Sequence, residues 1–521
     1  MTTLRDSLTY EPSELKFGTS GLRALVTDMT DLECYINTLG FLAFAAELGH
    51  LQAGGGVVYV AGDLRHSTPR ILRAVYKAVV DAGYEPVYCG LVPTPTIAYY
   101  ALVKHAPCVM VTGSHIPEDR NGIKFHKADG EVLKEDEAAI KEAVAAVRAN
   151  TYKLDAAAAP FDENGMLLEP PTLPEADPEA GALYRERYTA VFAPDTFAGK
   201  KIVFYQHSAV GRDSLIEILE ALGAEVVPVG RSEKFIPIDT ENVTPADQKY
   251  FRQLAAEHPD AFAIVSTDGD SDRPFLIDHE GTFNRGDVLG AVVADWLKAD
   301  FAAYPVSSSD ATDEYLQTKG VAVQHTKIGS PYIISAMQAA QQSGKQRIVG
   351  WEVNGGFMLG CDFELQGKKL TALPTRDALF PIMCAMAAAI EGNQSVKELF
   401  LTLPQRFSQA GLINNFPTEV SLQILEHFSK DNEETRRHIE QYFSPERGFG
   451  RVKEIVTLDG LRITFDNGDI AHMRPSGNAP QLRCYSVADS QERADEIVAL
   501  ALAEPDGIFR TIEADLKTLQ G

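Results

Sequence analysis

The sequence predicts an α/β protein of three similar mixed strand–helix units followed by a smaller α+β domain. Apolar strand-like runs and helical stripes recur three times in the same order. Each unit then adds one more apolar strand that ends in a polar loop, and the texture changes after residue 412. The chain has 521 residues, which at about 100 to 200 residues per domain predicts about three to five domains.

In the first unit GVVYVAGD reads as a strand and STPRILRAVYKAVVDAG as a helix, with Ser67 or Thr68 as cap and Pro69 in the first turn. YEPVYCG is the second strand. In the second unit KKIVFYQH, GRDSLIEILEALG and AEVVPVG repeat the plan, with Leu215, Ile218, Leu219 and Leu222 as the helical stripe. The third, AYPVSSS, ATDEYLQTKG and VAVQHTK, has a shorter helix. These units are bounded at 1–154, 184–298 and 299–412. Segment 155–183, rich in Pro, Ala and acids, reads as a linker between the first two. Segment 413–521 is the fourth domain, with helix-like EVSLQILEHF and QERADEIVALALAE around strand-like RVKEIVTLDGLRITFDNG.

Composition narrows the function. Lys and Arg total 48 against 73 Asp and Glu, a formal charge of -25, and no basic run offsets it. Nucleic acid and anionic membrane are therefore not expected partners, and an anionic substrate needs its positive groups gathered inside a cleft. The six cysteines, with no CxxC pair, read as buried free thiols of a cytoplasmic protein. The N-terminal stretch lacks a signal-like apolar core, and ALFPIMCAMAAAI is too short to span a bilayer.

The three loops after the unit-closing strands carry three chemistries. HAPCVMV leads to TGSHIP, PDAFAIVS to TDGDSDRP, and KQRIVG to WEVNGGF. Right-handed β-α-β connections place such loops at the carboxyl ends of strands, where α/β proteins keep their sites. Ser114 and His115 thus lie just past a strand end. Asp268, Asp270 and Asp272 alternate in a tight loop, as a hard cation with oxygen ligands requires. The EF-hand reading fails, because Arg273 and His279 stand where Gly and Glu are needed. Magnesium is the expected occupant, since it also offsets phosphate charge in phosphoryl transfer. In RPSGNAPQLR, Arg474, Ser476, Gly477, Asn478 and Arg483 make a phosphate cradle or an ordinary turn. Gly18, Ser20, Gly21 and Arg23 have the same two readings. Lys124 is a solvated lysine or a proton carrier. Glu352 and Asn354, beside Gly355 and Gly356, are able to fix sugar hydroxyls.

With FGTSGLR, VTGSHIPEDRNGIKF, DGDSDR, WEVNGGF and RPSGNAP in this order, the chain resembles the α-D-phosphohexomutase family from about Lys16 to the C-terminus. The resemblance implies three similar α/β domains and a fourth, TATA-binding-like domain around a central cleft. It also implies interconversion of hexose 1- and 6-phosphates, mannose or glucose, through a phosphoserine at Ser114 and a sugar 1,6-bisphosphate. His115 would contact the phosphate, Asp268, Asp270 and Asp272 would hold Mg²⁺ against it, Arg23 and Lys124 would lie near the transferring group, and Arg273 would bind substrate. Glu352, Asn354 and Gly355 match the sugar-reading loop. Arg474, Ser476, Gly477, Asn478 and Arg483 match the loop gripping the other phosphate. Gly113 and Ile116 depart from the family's TASHNP, Asn478 and Ala479 from its usual Thr and Glu, and Gly356 stands where some members carry a proton-carrying His. That last departure makes Lys124 the stronger proton carrier. An amino-sugar phosphomutase and a non-catalytic phosphosugar-binding regulator are the alternatives. A DxDx(T/V) phosphatase is disfavoured by Asp272 at the Thr/Val position.

Overall fold

Two sheets built on one plan carry the Ser114 and Asp268 loops. The computed structural model describes residues 2–18, 21–52, 55–476 and 480–520, the last three without their side chains. The first sheet contains β1 (Gly21–Leu25), β2 (Val57–Gly62), β3 (Glu85–Leu91), β4 (Cys108–Val111) and β5 (Arg120–Lys127) in the order β1-β5-β4-β2-β3, with β6 (Gly130–Glu131) on β5. β2 runs parallel to β3 and β4, and β5 antiparallel to β4 and β1. The second sheet has β7 (Lys201–Tyr205), β8 (Glu225–Val229), β9 (Ala263–Thr267), β10 (Pro274–Ile277) and β11 (Phe283–Asn284) in the order β11-β10-β9-β7-β8. Here β7 is parallel to β8 and β9, and β10 is antiparallel to β9. The connection order β3-β2-β4-β5 therefore recurs as β8-β7-β9-β10, the repeat expected from the sequence.

Parallel strands flanked by helices are buried on both faces. β2 follows this rule: Val58 and Val60 enter one core, Tyr59 and Ala61 the other. Helix Thr68–Asp81 carries Pro69 in its first turn and buries Ile71, Leu72, Val75, Ala78 and Val79, a stripe at helical spacing. Ser67 occupies the N-cap position without a side-chain cap bond, while the Thr68 hydroxyl instead donates to Asp63 at 2.6 Å.

Segment 155–183 joins the first two repeats but is docked. Phe161 and Leu167 are buried, Leu167 N–H donates to Asp31, and helix Glu179–Thr189 begins inside the segment. Two apolar anchors among prolines and acids make no sequence period, so composition alone reads as linker.

The chain divides into two compact units, residues 1–302 with 329–399, and residues 303–328 with 400–521. The third repeat is shared: β12 (Phe301–Pro305) spans the division and β13 (Ala322–Thr326) lies in the second unit. In the first unit β14 (Ile348–Trp351), β15 (Phe357–Leu359), the hairpin of β16 (Phe363–Leu365) and β17 (Lys368–Leu370), and β18 (Leu373–Asp377) follow, with β15 antiparallel to β14 and β18. In the second unit β19 (Phe407–Asn414), β20 (Val452–Val456), β21 (Leu461–Phe465), β22 (Ile470–Pro475) and β23 (Gln481–Ala488) form an antiparallel sheet, order β19-β23-β22-β21-β20. Helix Gln491–Leu502 lays Ala494, Ile497, Val498 and Ala501 on the core of that sheet, giving the expected α+β arrangement. All six cysteines are free and buried. Among the described residues no helix is long and apolar enough to cross a membrane.

Candidate active site

β4 ends at Val111, and three residues later Ser114 adopts a left-handed backbone, φ 55°. That conformation is costly for a residue with a Cβ and persists only where the surroundings impose it. Ser114 N–H donates to Thr112 Oγ1 at 2.8 Å. The Arg65 guanidinium donates to four carbonyls of the loop: Ser114 (2.9 Å), Ile116 (2.6 Å), Pro117 (2.8 Å) and Arg120 (2.9 Å). Arg65 is itself ion-paired with Asp63 at 3.3 Å and lies 3.8 Å over the Phe235 ring. A Cβ at Gly113 would stand 2.6 Å from Arg65 Cζ, so the guanidinium occupies the space an alanine would need. His115 Nδ1 lies 3.4 Å from Ser114 Oγ. Burial, aided by Arg273 and Arg23, holds this imidazole well below its usual range and keeps it neutral.

The Ser114 hydroxyl donates to Asp268 Oδ2 at 2.7 Å. Asp268 Oδ1 turns inward and accepts the backbone N–H groups of Asp272 and Arg273, each at 3.1 Å. Asp270 Oδ2 takes the Thr94 hydroxyl at 2.6 Å and Lys124 Nζ at 2.5 Å. Asp272 Oδ2 takes Lys124 Nζ at 2.7 Å and Arg376 Nε at 3.1 Å. Burial, with Asp270 and Asp272 beside it, pushes the Asp268 carboxyl well up. Burial acts on Asp270 and Asp272 in the same direction, but Lys124 and Arg376 respectively outweigh it and hold both below their usual range.

One oxygen from each of the three aspartates lies within 4.8 Å of the others. Asp270 Oδ1 and Asp272 Oδ1 are buried and accept no hydrogen bond from a described residue. Orphaned carboxylate oxygens converging on one point fit a hard divalent cation such as Mg²⁺. The two loops also touch closely, since a Cβ at Gly269 would stand 2.6 Å from Ser114 O.

In the antiparallel β1–β5 register Arg23 faces Gly122 and Gly21 faces Lys124, so Arg23 and Lys124 share one sheet face. Arg23 stays exposed, within the field of Arg273, Arg376, Asp270 and Asp272. Arg273 is buried, with Nε 3.8 Å from Asp268 and 3.7 Å from Asp272. After β14, Glu352 Oε2 accepts from Arg376 at 2.6 Å and from Asn354 Nδ2 at 3.3 Å. Gly355, at φ 88°, sits where a Cβ would meet Pro274 at 2.7 Å. A Cβ at Gly356 would stand 2.6 Å from Arg376 Cδ. A cation from β18 therefore fills the room beside this glycine.

The remaining predicted residues lie in the second unit. Arg474 on β22 donates to Asp459 at 3.0 Å and faces Arg483 of β23 across the ladder. Ser476 N–H donates to Gln481 O at 2.9 Å. Gly477 and Asn478, like Ser20, lie outside the described residues.

Sequence reasoning missed Arg65, Thr94 and Arg376. Arg65 follows the end of β2, where the strand-end rule already pointed, and Thr94 stands between two prolines at a helix start. Arg376 lies within β18, and no local pattern marks it.

Three stretches match descriptions of known domains: phosphoglucomutase/phosphomannomutase, alpha/beta/alpha domain I (residues 14–151), alpha/beta/alpha domain III (285–407) and the C-terminal domain (429–503). The chain is 42% identical over 489 residues to a phosphomannomutase of Sinorhizobium fredii (strain NBRC 101917 / NGR234), covering 94% of this chain and 98% of that one. It is 38% identical to a phosphomannomutase of Salmonella muenchen, over 94% and 95% of the two chains. The fold matches a crystal structure of a phosphoglucomutase/phosphomannomutase family protein from Burkholderia thailandensis with TM-score 0.68 at 20% identity, over 94% and 96%. The chain thus belongs to the phosphoglucomutase/phosphomannomutase family, the α-D-phosphohexomutases. It is a phosphohexomutase, an isomerase that works as an intramolecular phosphotransferase.

Proposed function

We propose that this mutase interconverts mannose 1-phosphate and mannose 6-phosphate, and accepts the glucose phosphates in the same site, through a phosphoserine at Ser114 and a hexose 1,6-bisphosphate. The observation that carries the reading is the Ser114 hydroxyl at 2.7 Å from Asp268, at the edge of a buried tricarboxylate cluster. The names of the relatives at 42% and 38% identity support mannose.

In this reading the free hydroxyl oxygen of the bound hexose phosphate attacks the phosphorus on Ser114. The new O–P bond forms as the Oγ–P bond breaks; Lys124, an ammonium between Asp270 and Asp272, gives a proton to the departing Ser114 Oγ and takes up the one lost by the attacking hydroxyl. The bisphosphate turns in the site and returns its other phosphoryl group to Ser114. Mg²⁺, bound by Asp268, Asp270 and Asp272, supplies charge neutralisation to the phosphoryl oxygens. His115 donates to a phosphoryl oxygen as a neutral imidazole, and Arg273 and Arg23 add fixed positive charge. Arg474, Ser476, Gly477, Asn478 and Arg483 hold the phosphate that is not transferred.

Turnover of mannose 1-phosphate, glucose 1-phosphate and glucosamine 1-phosphate by purified protein with Mg²⁺ and a trace of hexose 1,6-bisphosphate tests the reading. The first two are expected to react with kcat/KM within about a hundredfold of each other, since mannose and glucose differ only in configuration at C2 and share their other ring hydroxyls. Turnover of glucosamine 1-phosphate alone would replace this reading with the amino-sugar alternative.

A further inference from the structure

Asn354 spends its amide on the protein. Its Nδ2 donates to Glu352 Oε2 at 3.3 Å and to Glu241 Oε1 at 3.1 Å, while Oδ1 accepts the Gly356 N–H at 3.0 Å. Two carboxylate acceptors on one side and an N–H on the other fix the orientation of the amide, and both Nδ2 hydrogens are used. Asn354 is thereby a bracket that joins two carboxylates. The neighbouring Thr240 hydroxyl donates to Asn354 O at 2.8 Å, so two consecutive residues of the loop between β8 and helix Pro245–Glu257 dock on one asparagine.

The bracket leaves one oxygen of each carboxylate uncommitted. Glu352 Oε1 and Glu241 Oε2 accept no hydrogen bond from a described residue. Glu241 as a residue is partly buried. Its surroundings are mixed: Asp239 and Glu352 repel its charge, and Arg273 offsets them. Arg285 also lies within its field. Two carboxylates held side by side repel a phosphate and accept from neutral O–H donors, which suits the polyhydroxyl ring of a sugar.

We propose that Glu241 is a specificity-determining residue of this site, accepting a hydrogen bond from a ring hydroxyl of the hexose phosphate through Oε2 while Asn354 holds Oε1. The inference rests on the hexose phosphate reading above. It moves the reading of the sugar from Asn354 to the carboxylate pair Glu241 and Glu352.

The test is a cycle between protein and substrate. kcat/KM is measured for the wild type, Glu241→Gln and Glu241→Asp with mannose 1-phosphate and its 2-, 3- and 4-deoxy analogues, alongside thermal melting of each protein. Glu241→Gln should lower kcat/KM for mannose 1-phosphate about 10- to 100-fold, the usual worth of a hydrogen bond to a charged group. One deoxy analogue should suffer that loss already in the wild type, and for it the substitution should cost no more than about twofold. If Glu241→Gln does not fold, Glu241→Asp, which keeps the charge but withdraws the carboxylate, carries the same cycle. An equal penalty on all four substrates in an active enzyme would overturn the role of Glu241 and leave the functional reading intact. A wild type that neither binds nor turns over any of them would overturn both.

Discussion

The loop after β4 and the loop after β9 stand at equivalent places in two copies of one plan, yet opposite means hold them. The Ser114 loop is gripped through its backbone: one buried guanidinium, Arg65, serves four carbonyls and leaves the serine hydroxyl free to face its neighbour. The Asp268 loop is gripped through its side chains. Its carboxylates take Thr94, Lys124 and Arg376, contributed by elements outside the loop. A grip on the backbone fixes the loop while the Ser114 hydroxyl points at Asp268, whereas three carboxylates brought together need partners against their mutual repulsion.

Removing a charge from the second loop should have the larger effect. Asp270→Asn removes the negative charge that Lys124 balances, and is expected to lower kcat/KM about a thousandfold and to raise the Mg²⁺ concentration needed for half-maximal rate. Chelation should likewise abolish turnover of the wild type, with recovery on added Mg²⁺. Unchanged Mg²⁺ dependence in Asp270→Asn would remove this residue from the metal site.

Arg65→Gln attacks the first loop without touching a carboxylate of the second. It should lower kcat about a hundredfold with little change in KM or in Mg²⁺ dependence, because the hydroxyl is misplaced while the substrate-binding groups remain. Arg65→Lys should not rescue it, as an ammonium cannot serve four carbonyls in a plane. A change in Mg²⁺ dependence equal to that of Asp270→Asn would show that the two loops are held as one.

Acid stability sharpens the comparison. Buried His207, against Thr267 at the end of β9, has Nε2 at 2.7 Å from a carbonyl, so the neutral Nε2–H form is the one that fits. Burial lowers it to about 4 from 6.5. Between these values the unfolded chain binds a proton that the folded protein refuses. Stability is therefore lost as pH falls through that window, by about 1.4 kcal/mol per pH unit and about 3 kcal/mol in all, with no contribution above pH 6.5. Buried His115, His126 and His472 are held low as well and add slopes of the same sign, so in denaturant titrations across pH His207→Asn should reduce the total slope by this one share. The smallest effect is expected from Gly113→Ala, whose methyl meets Arg65 Cζ: about 1 to 3 kcal/mol in stability and a modest loss of kcat. Neutrality of that change would mean that Arg65 moves freely and does not set the Ser114 backbone.

The sequence made the loops legible because strand-end position and residue chemistry are both local. Ser114, the three aspartates and Glu352 stand in loops that can be read in that way, and the order of apolar runs carries the β-α-β repeat. The charges that balance those loops were not legible. Arg376 reaches Asp272 and Glu352 from within β18, and Glu241 reaches Asn354 from a connection between β8 and a helix, so only the folded chain brings them together. Segment 155–183 failed to read as docked for a related reason, since Phe161 and Leu167 are too far apart to form a period.

The proposed mechanism requires Ser114 to carry the phosphoryl group. Peptide mass analysis of protein treated with hexose 1,6-bisphosphate and Mg²⁺, with Ser114→Ala in parallel, tests it most directly. One phosphoryl group on Ser114 in the wild type, and a loss of turnover of about a thousandfold or more in the variant, is the predicted result. Wild-type turnover by Ser114→Ala, or a phosphoryl group on another residue of the active protein, would contradict it.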